Sequence, residues 1–250
     1  MGFSFEKRDG WGKSGVVYNV HKKIADIMDA VHMELRMSVP SPVPPARSTY
    51  RHGDLRRALL EAGVELARAG GPEAVVLREA TRRAGVVPNA AYRHFASRQA
   101  LLQAVRAAAL AAAATAMEAE LAALRTDGDP ADAARAAVRA IGAGYLRFAQ
   151  TETGLFRTAF GPPMDLGDSP DEAKGGQSGL NPFELLGAAL DQLVAAGALP
   201  PERRPGAEFL AWSAVHGLAL LIIDGPLRGM PREQTDVLGE QLLDMVEKGL

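Results

Sequence analysis

The stretch from Leu77 to Phe95 constrains this chain more than any other, because it carries the punctuation of two short helices joined by a tight turn. Gly85 suits the exit of the first helix, where a left-handed residue is commonly needed. Pro88 suits the first position of the second, where its missing N–H would have no intrahelical partner. Ala91 and Phe95 are four apart and share an inward face. Asn89, Ala90 and Arg93 then point outward, with Tyr92 and His94 beside them. A small, basic, exposed helix braced by a second helix is what the major groove of duplex DNA admits. Arginine pairs with guanine and asparagine with adenine through two hydrogen bonds, so Pro88, Asn89, Ala90 and Arg93 are the candidates for base edges. The spacing puts Phe95 in the core. Tyr92 has two readings, core packing or contact with DNA, and its place beside the outward face favours DNA.

The remaining chain has helical periodicity throughout. Asp54 can cap a helix carrying Leu55, Leu59, Ala62 and Leu66 on one face, ending near Gly70-Gly71-Pro72. Ser97 caps a long helix from Arg98 to about Leu124, whose alanine-rich middle permits close packing. Asp127-Gly-Asp-Pro130 breaks it, and a further helix runs from about Ala131 to Gln150. Thr151–Phe160 forms a short helix, and Gly161–Gly179 forms a loop rich in glycine and proline. Asn181 or Pro182 opens a helix to about Ala196, ended by Gly197; Glu208–Asp224 and Arg232–Lys248 complete the set. No alternating strand pattern of useful length occurs, so the expected fold is all-α.

The N-terminal end is harder to interpret. Val20, Ile24, Ile27, Val31 and Leu35 fit one amphipathic helix, and a start at Met37 would make everything before it an extension. Gly12-Lys13-Ser14 resembles the tail of a phosphate loop, but Lys7 stands where that motif needs its first glycine. Residues 38–49 are proline-rich and form a linker or arm from which Arg47 and Arg51 can reach phosphate. The expected division is an extension and linker over 1–46, a DNA-binding unit over 47–106 and a helical body over 107–250.

Net charge is −2, but its distribution is uneven. Residues 53–106 carry nine Lys/Arg against five Asp/Glu, and residues 107–250 carry eleven against twenty. One end therefore suits phosphate and the other avoids it. No apolar run is long enough to suggest a membrane span, and no secretory signal is evident. The chain has no cysteine, which excludes disulfides and thiolate metal sites and fits a cytoplasmic location. No metal or cofactor is expected.

Arg78-Glu79, Arg83-Ala84-Gly85-Val86, Pro88, Tyr92-Arg93-His94-Phe95, Ser97 and Ala100-Leu101-Leu102 together resemble the tetracycline-repressor (TetR) family of helix-turn-helix regulators. The resemblance implies an N-terminal helix-turn-helix head on a helical body that dimerises and holds a small effector. It also implies repression of a palindromic operator. It assigns Tyr92, His94 and Arg98 to the DNA backbone and adds Arg78 to the DNA-binding set. The sequence departs from the family pattern at Val87, where serine or threonine is usual, at Val76, and at Arg98, where lysine is usual.

Further on, Leu155-Phe156-Arg157, Phe160-Gly161, Trp212-Ser-Ala-Val-His216-Gly217 and Asp224-Gly225 resemble a subgroup with a Trp-x-x-x-His-Gly helix in its body. Phe209, Trp212, His216, Leu220 and Ile223 share one face of that helix. Two readings stay open. In one, Trp212 and His216 wall an effector pocket with Phe148, Phe156, Phe160 and Met164; in the other they are a core tryptophan and a satisfied core histidine. Ser213 and Gly217 would let a partner helix approach closely in a homodimer. Two other classes stand against a regulator. A helical enzyme would use Ser213 or Asp224 with His216, although no nucleophile elbow, zinc helix or phosphate loop is present. An architectural protein would bind any duplex alike.

Overall fold

Three of the longer helices among the described residues start at capping side chains. The computed structural model describes residues 55–125, 128–161 and 171–250, all of them helical or in turns and loops. The expected N-terminal helix, Arg47, Arg51, the Asp54 cap and Met164 lie outside the described residues. Among the described residues the order is α1 (Leu55–Gly70), α2 (Leu77–Arg83), α3 (Pro88–Ala91), α4 (Arg98–Ala122), α5 (Pro130–Thr151), α6 (Thr153–Phe160), α7 (Pro182–Ala195), α8 (Ala207–Ile223) and α9 (Arg232–Gly249).

Ser97 caps α4 by accepting from Ala100 N, and Asp129 caps α5 by accepting from Ala131 N and Asp132 N. At α7, Asn181 and Glu184 close a capping box, each side chain accepting from the other's backbone N–H. The expected loop after Phe160 contains one turn of 3-10 helix, Asp171–Lys174, too short to leave a periodic signal.

α4 is the central column. It packs against α5, α6, α1 and α7, and its face of Leu101, Val105, Ala109, Leu110, Ala113 and Met117 is buried. By length and composition it could cross a membrane, yet half of its apolar window is buried inside this protein. Residue 106 falls inside α4, so the expected head and body share one continuous helix. One apolar core runs from Leu59 in α1 to Leu243 in α9.

Small residues set the spacing of the body. A Cβ on Gly144 would lie 2.6 Å from the Met117 Cα, so α4 and α5 meet backbone to backbone there. α6 docks its first turn on the end of α1 at Gly154, where a Cβ would fall inside contact distance of the Ala67 and Arg68 carbonyl oxygens. Arg68 Nε donates to Glu152 at 2.8 Å beside that contact.

Gly154→Ala should therefore push α6 off α1 and destabilise the fold by about 1–3 kcal/mol. Urea unfolding followed by circular dichroism measures it, and an unchanged midpoint would show that the two helices can part without loss.

Candidate DNA interface and body cavity

α2, its turn and α3 form the outward unit. The α2 exit is held by Ala84 N donating to Ala80 O, and the turn by Val86 N donating to Thr81 O at 3.0 Å. Gly85 has a φ of 68°, the left-handed value expected there. Pro88–Ala91 is helical, and Phe95 N donating to Ala91 O carries the coil one turn further. Ala91 and Phe95 are buried, with the Arg56 guanidinium 5.2 Å above the Phe95 ring. Arg78, Asn89, Arg93 and His94 are exposed, Ala90 is half-buried, and Tyr92 is 57% exposed. Pro88 stands at the first helical position. On α2, the Arg82 guanidinium donates to Glu79 at 2.6 and 2.9 Å and holds that carboxyl down at about 2.

Arg98 is placed differently from the other candidates. Its Nε donates to Val75 O and its Nη2 to Pro72 O, both at 2.8 Å, with Glu73 3.6 Å away. The guanidinium ties the start of α4 to the turn that precedes α2. It is a positioning residue in this geometry, because a planar group with several donors satisfies carbonyls that no helix caps.

A cavity of about 390 Å³ lies in the body. Leu110 and Met117 of α4, Ile141 and Tyr145 of α5, Phe160 of α6, Leu186 of α7 and Trp212 of α8 are among its walls. Lys174, Asn181 and Glu184 gather in the segment that covers one side. Of the six sequence candidates, Phe160 and Trp212 line it. Phe148 does not: it is buried one helical turn beyond Tyr145, on the right face of α5 but too far along its axis. Phe156 and His216 are not wall residues either. They stack on each other, ring centroids 5.8 Å apart, behind Tyr145.

Trp212 Nε1 donates to Tyr145 Oη at 3.2 Å, and Tyr145 Oη lies 2.8 Å from His216 Nδ1. With Oη accepting from tryptophan, the phenol donates to Nδ1, and burial lowers the His216 pKa. Burial likewise raises that of Tyr145. His216 is thus a half-buried histidine bonded through Nδ1 behind the cavity wall, while Trp212 is part of the wall. The imagined catalytic pairs are not joined: Ser213 Oγ donates to Leu210 O, and Asp224 accepts from Arg157. Tyr145 and Phe183 carry no motif that marks them, although Tyr145 lies one turn from Ile141 on the buried face of α5.

The family model for bacterial regulatory proteins of the tetR family matches residues 59–105, and the tetracyclin repressor-like C-terminal domain matches residues 138–246. Together they span more than half of the chain. The chain belongs to the TetR family. No curated protein matches it. A protein of unknown function from Rhodococcus sp. RHA1 is 27% identical, with a TM-score of 0.64 over 82% of this chain and 99% of that one. A tetR family transcription regulator from Shewanella sp. PV-4 is 17% identical, with a TM-score of 0.51 over 76% and 95% of the two chains. That second likeness speaks for the fold alone. As a TetR-family member this protein is a DNA-binding transcriptional regulator with a helix-turn-helix head.

Two outcomes follow from the regulator's geometry. Arg98→Ala should lower stability by about 1–3 kcal/mol, since two carbonyls lose a charged donor, and Arg98→Lys should recover part of it in urea unfolding. His216, neutral when folded, titrates near 6.5 when unfolded. The unfolded chain then binds the extra proton as pH falls through 6.5, so stability drops until the folded imidazole protonates as well. His216→Gln should flatten that loss between pH 7.5 and 5.5; an equally steep loss would place its origin elsewhere.

Proposed function

We propose that this TetR-family regulator is a homodimeric repressor that a small, mainly apolar effector releases from a palindromic operator. Residues 47–106 serve as the reading head and 107–250 as the sensing body, acting in the cytoplasm without enzymatic turnover. The observation that carries this reading is α6, which touches both ends of the device. Phe156 and Phe160 pack on Tyr145 of the cavity wall, with centroids 5.4 and 5.1 Å away. The same helix meets α1 through Gly154 and the turn before α2 through Arg157, whose Cβ is 3.9 Å from a Cβ built on Gly71. Arg157 also donates to Asp224 at the end of α8. A wall shift therefore has a stiff route to the head. A coupling of about 1–3 kcal/mol changes operator affinity some 5–150-fold.

The other parts fit the same reading. The cavity has the volume of ordinary small-molecule sites and few polar groups. Leu210 and Leu221 of α8 and Val237 and Met245 of α9 are exposed. Exposed apolar side chains on two neighbouring helices suit an interface, here the one between two copies, and exposed Ser213 with Gly217 leaves room for close helix approach. Arg93 and Asn89 are the proposed base readers; Tyr92, His94 and Arg78 are the proposed phosphate contacts.

Genomic selection of bound fragments tests the reading, followed by a screen for compounds that release them intact. Affinity for the selected operator should fall at least about tenfold from 50 to 200 mM salt. Arg93→Ala should flatten preference between operator and random duplex. Trp212→Ala should abolish release while leaving operator affinity unchanged. A compound consumed in the assay would instead indicate an enzyme, and equal affinity for every duplex an architectural protein.

A further inference from the structure

The large apolar side chains left exposed among the described residues fall in two places. One is the α8–α9 surface. The other is the reading head, where Val76, Val87 and Tyr92 are 44, 70 and 57% exposed. Tyr92 carries a hydroxyl suited to phosphate. Val87 carries nothing of the kind.

Val87 is four residues before Ala91 and eight before Phe95, so a continuous helix would bury it with them. Its backbone is extended instead, with φ −72° and ψ 144°, and this turns the side chain outward at the start of α3. It makes no capping hydrogen bond, and a branched hydrocarbon can neither cap a helix nor donate to phosphate. Pro88, next in the chain, brings no N–H. Two successive positions at the leading end of the reading helix therefore offer DNA no side-chain donor, while Asn89 and Arg93 beyond them do. Exposed hydrocarbon gains by leaving water only against another apolar surface. On the base edges of the major groove the apolar group is the C5 methyl of thymine.

We propose that Val87 reads a thymine C5 methyl in the operator and is a specificity-determining residue. The contact continues the face already assigned to DNA and rests on the chain being a DNA-binding regulator. It also replaces a sequence-blind phosphate contact with one that discriminates between bases.

The experiment uses the full-length protein and an operator obtained by genomic selection. Each thymine is replaced in turn by deoxyuridine, which removes the methyl and leaves the pairing intact, and affinity is read by fluorescence anisotropy. The expected result is a thymine whose replacement weakens binding about three- to fivefold, as loss of one buried methyl predicts. With Val87→Ala, thymine and deoxyuridine at that position should bind alike. Val87→Ser should also lose the discrimination, and its added hydroxyl should favour all sequences equally. Val87 is largely in solvent, so neither variant threatens folding. A tight operator with no deoxyuridine-sensitive position, or with a sensitivity that persists in Val87→Ala, would overturn the assignment and leave DNA binding standing. Failure to enrich any fragment would overturn both.

Discussion

The arrangement of this protein depends on one close approach, the first turn of α6 lying on the last carbonyls of α1. Gly154 makes it possible, since a side chain there would fall against the Ala67 and Arg68 oxygens. The contact is electrostatically favourable as well, because the positive end of one helix dipole faces the negative end of another. The Arg68–Glu152 bond guards its edge. Arg106 adds a second tie, donating from α4 to Thr158 O at 3.0 Å and to Gly161 O at the end of α6. A helix of two turns is thereby held at both ends by the elements that carry the reading head. It has little freedom to respond alone.

Small residues also explain which parts of the site were legible in the sequence. The head was legible because its signals are local: a left-handed glycine, a proline at a helix start and two inward residues four apart. α8 was not, because it is apolar all round and periodicity gives it no direction. The aromatic face from Phe209 to Ile223 is the obvious choice from sequence. Of that face the structure buries Ile223 alone, and it buries Ala207, Ala211, Val215 and Ala219 instead of the others, since smaller side chains let α8 pack on α5. A Cβ on Gly142 would fall inside contact distance of Leu243 of α9 and in ordinary contact, 3.6 Å, with Val215 of α8. The bulky residues are displaced to the flanks, Trp212 into the cavity wall and Leu210 and Leu221 to the surface. Phe148 failed for a different reason: a helix face fixes direction, while distance along the axis depends on packing.

Charge counts overstate what the head can offer to DNA. All nine basic residues of 53–106 are arginines, and several serve the protein itself. Arg98 and Arg106 donate to carbonyls, Arg68 pairs with Glu65 and Glu152, and Arg82 pairs with Glu79. Arg78 and Arg93 have no ion-pair partner among the described residues. The same use of guanidinium continues in the body, where Arg157 donates to Ile223 O and Arg204 to Gly187 O. Arginine suits this work because its planar fork can satisfy uncapped carbonyls while staying charged. The net positive balance thus describes the long-range field of the head, and only the outward pair describes its contacts.

The cavity divides along similar lines. Trp212, Tyr145 and His216 satisfy one another, so the aromatic side presents an occupant with ring faces and little polarity. The polar lining comes from Lys174, Asn181 and Glu184, the last two of them already engaged in the α7 capping box. Their segment is anchored by buried Glu118, which accepts from Gln177 N and Ser178 N at 2.8 and 2.9 Å. Glu118 follows Met117 of the wall, so the polar side is braced against the central column. The aromatic side is different, because Phe160 belongs both to the cavity and to α6. Its ring touches those of Tyr145 and Phe156, at 5.1 and 5.0 Å. In the proposed device an occupant is therefore held by the braced segment and felt through Phe160. Close-packed rings transmit a displacement because they have no void to absorb it.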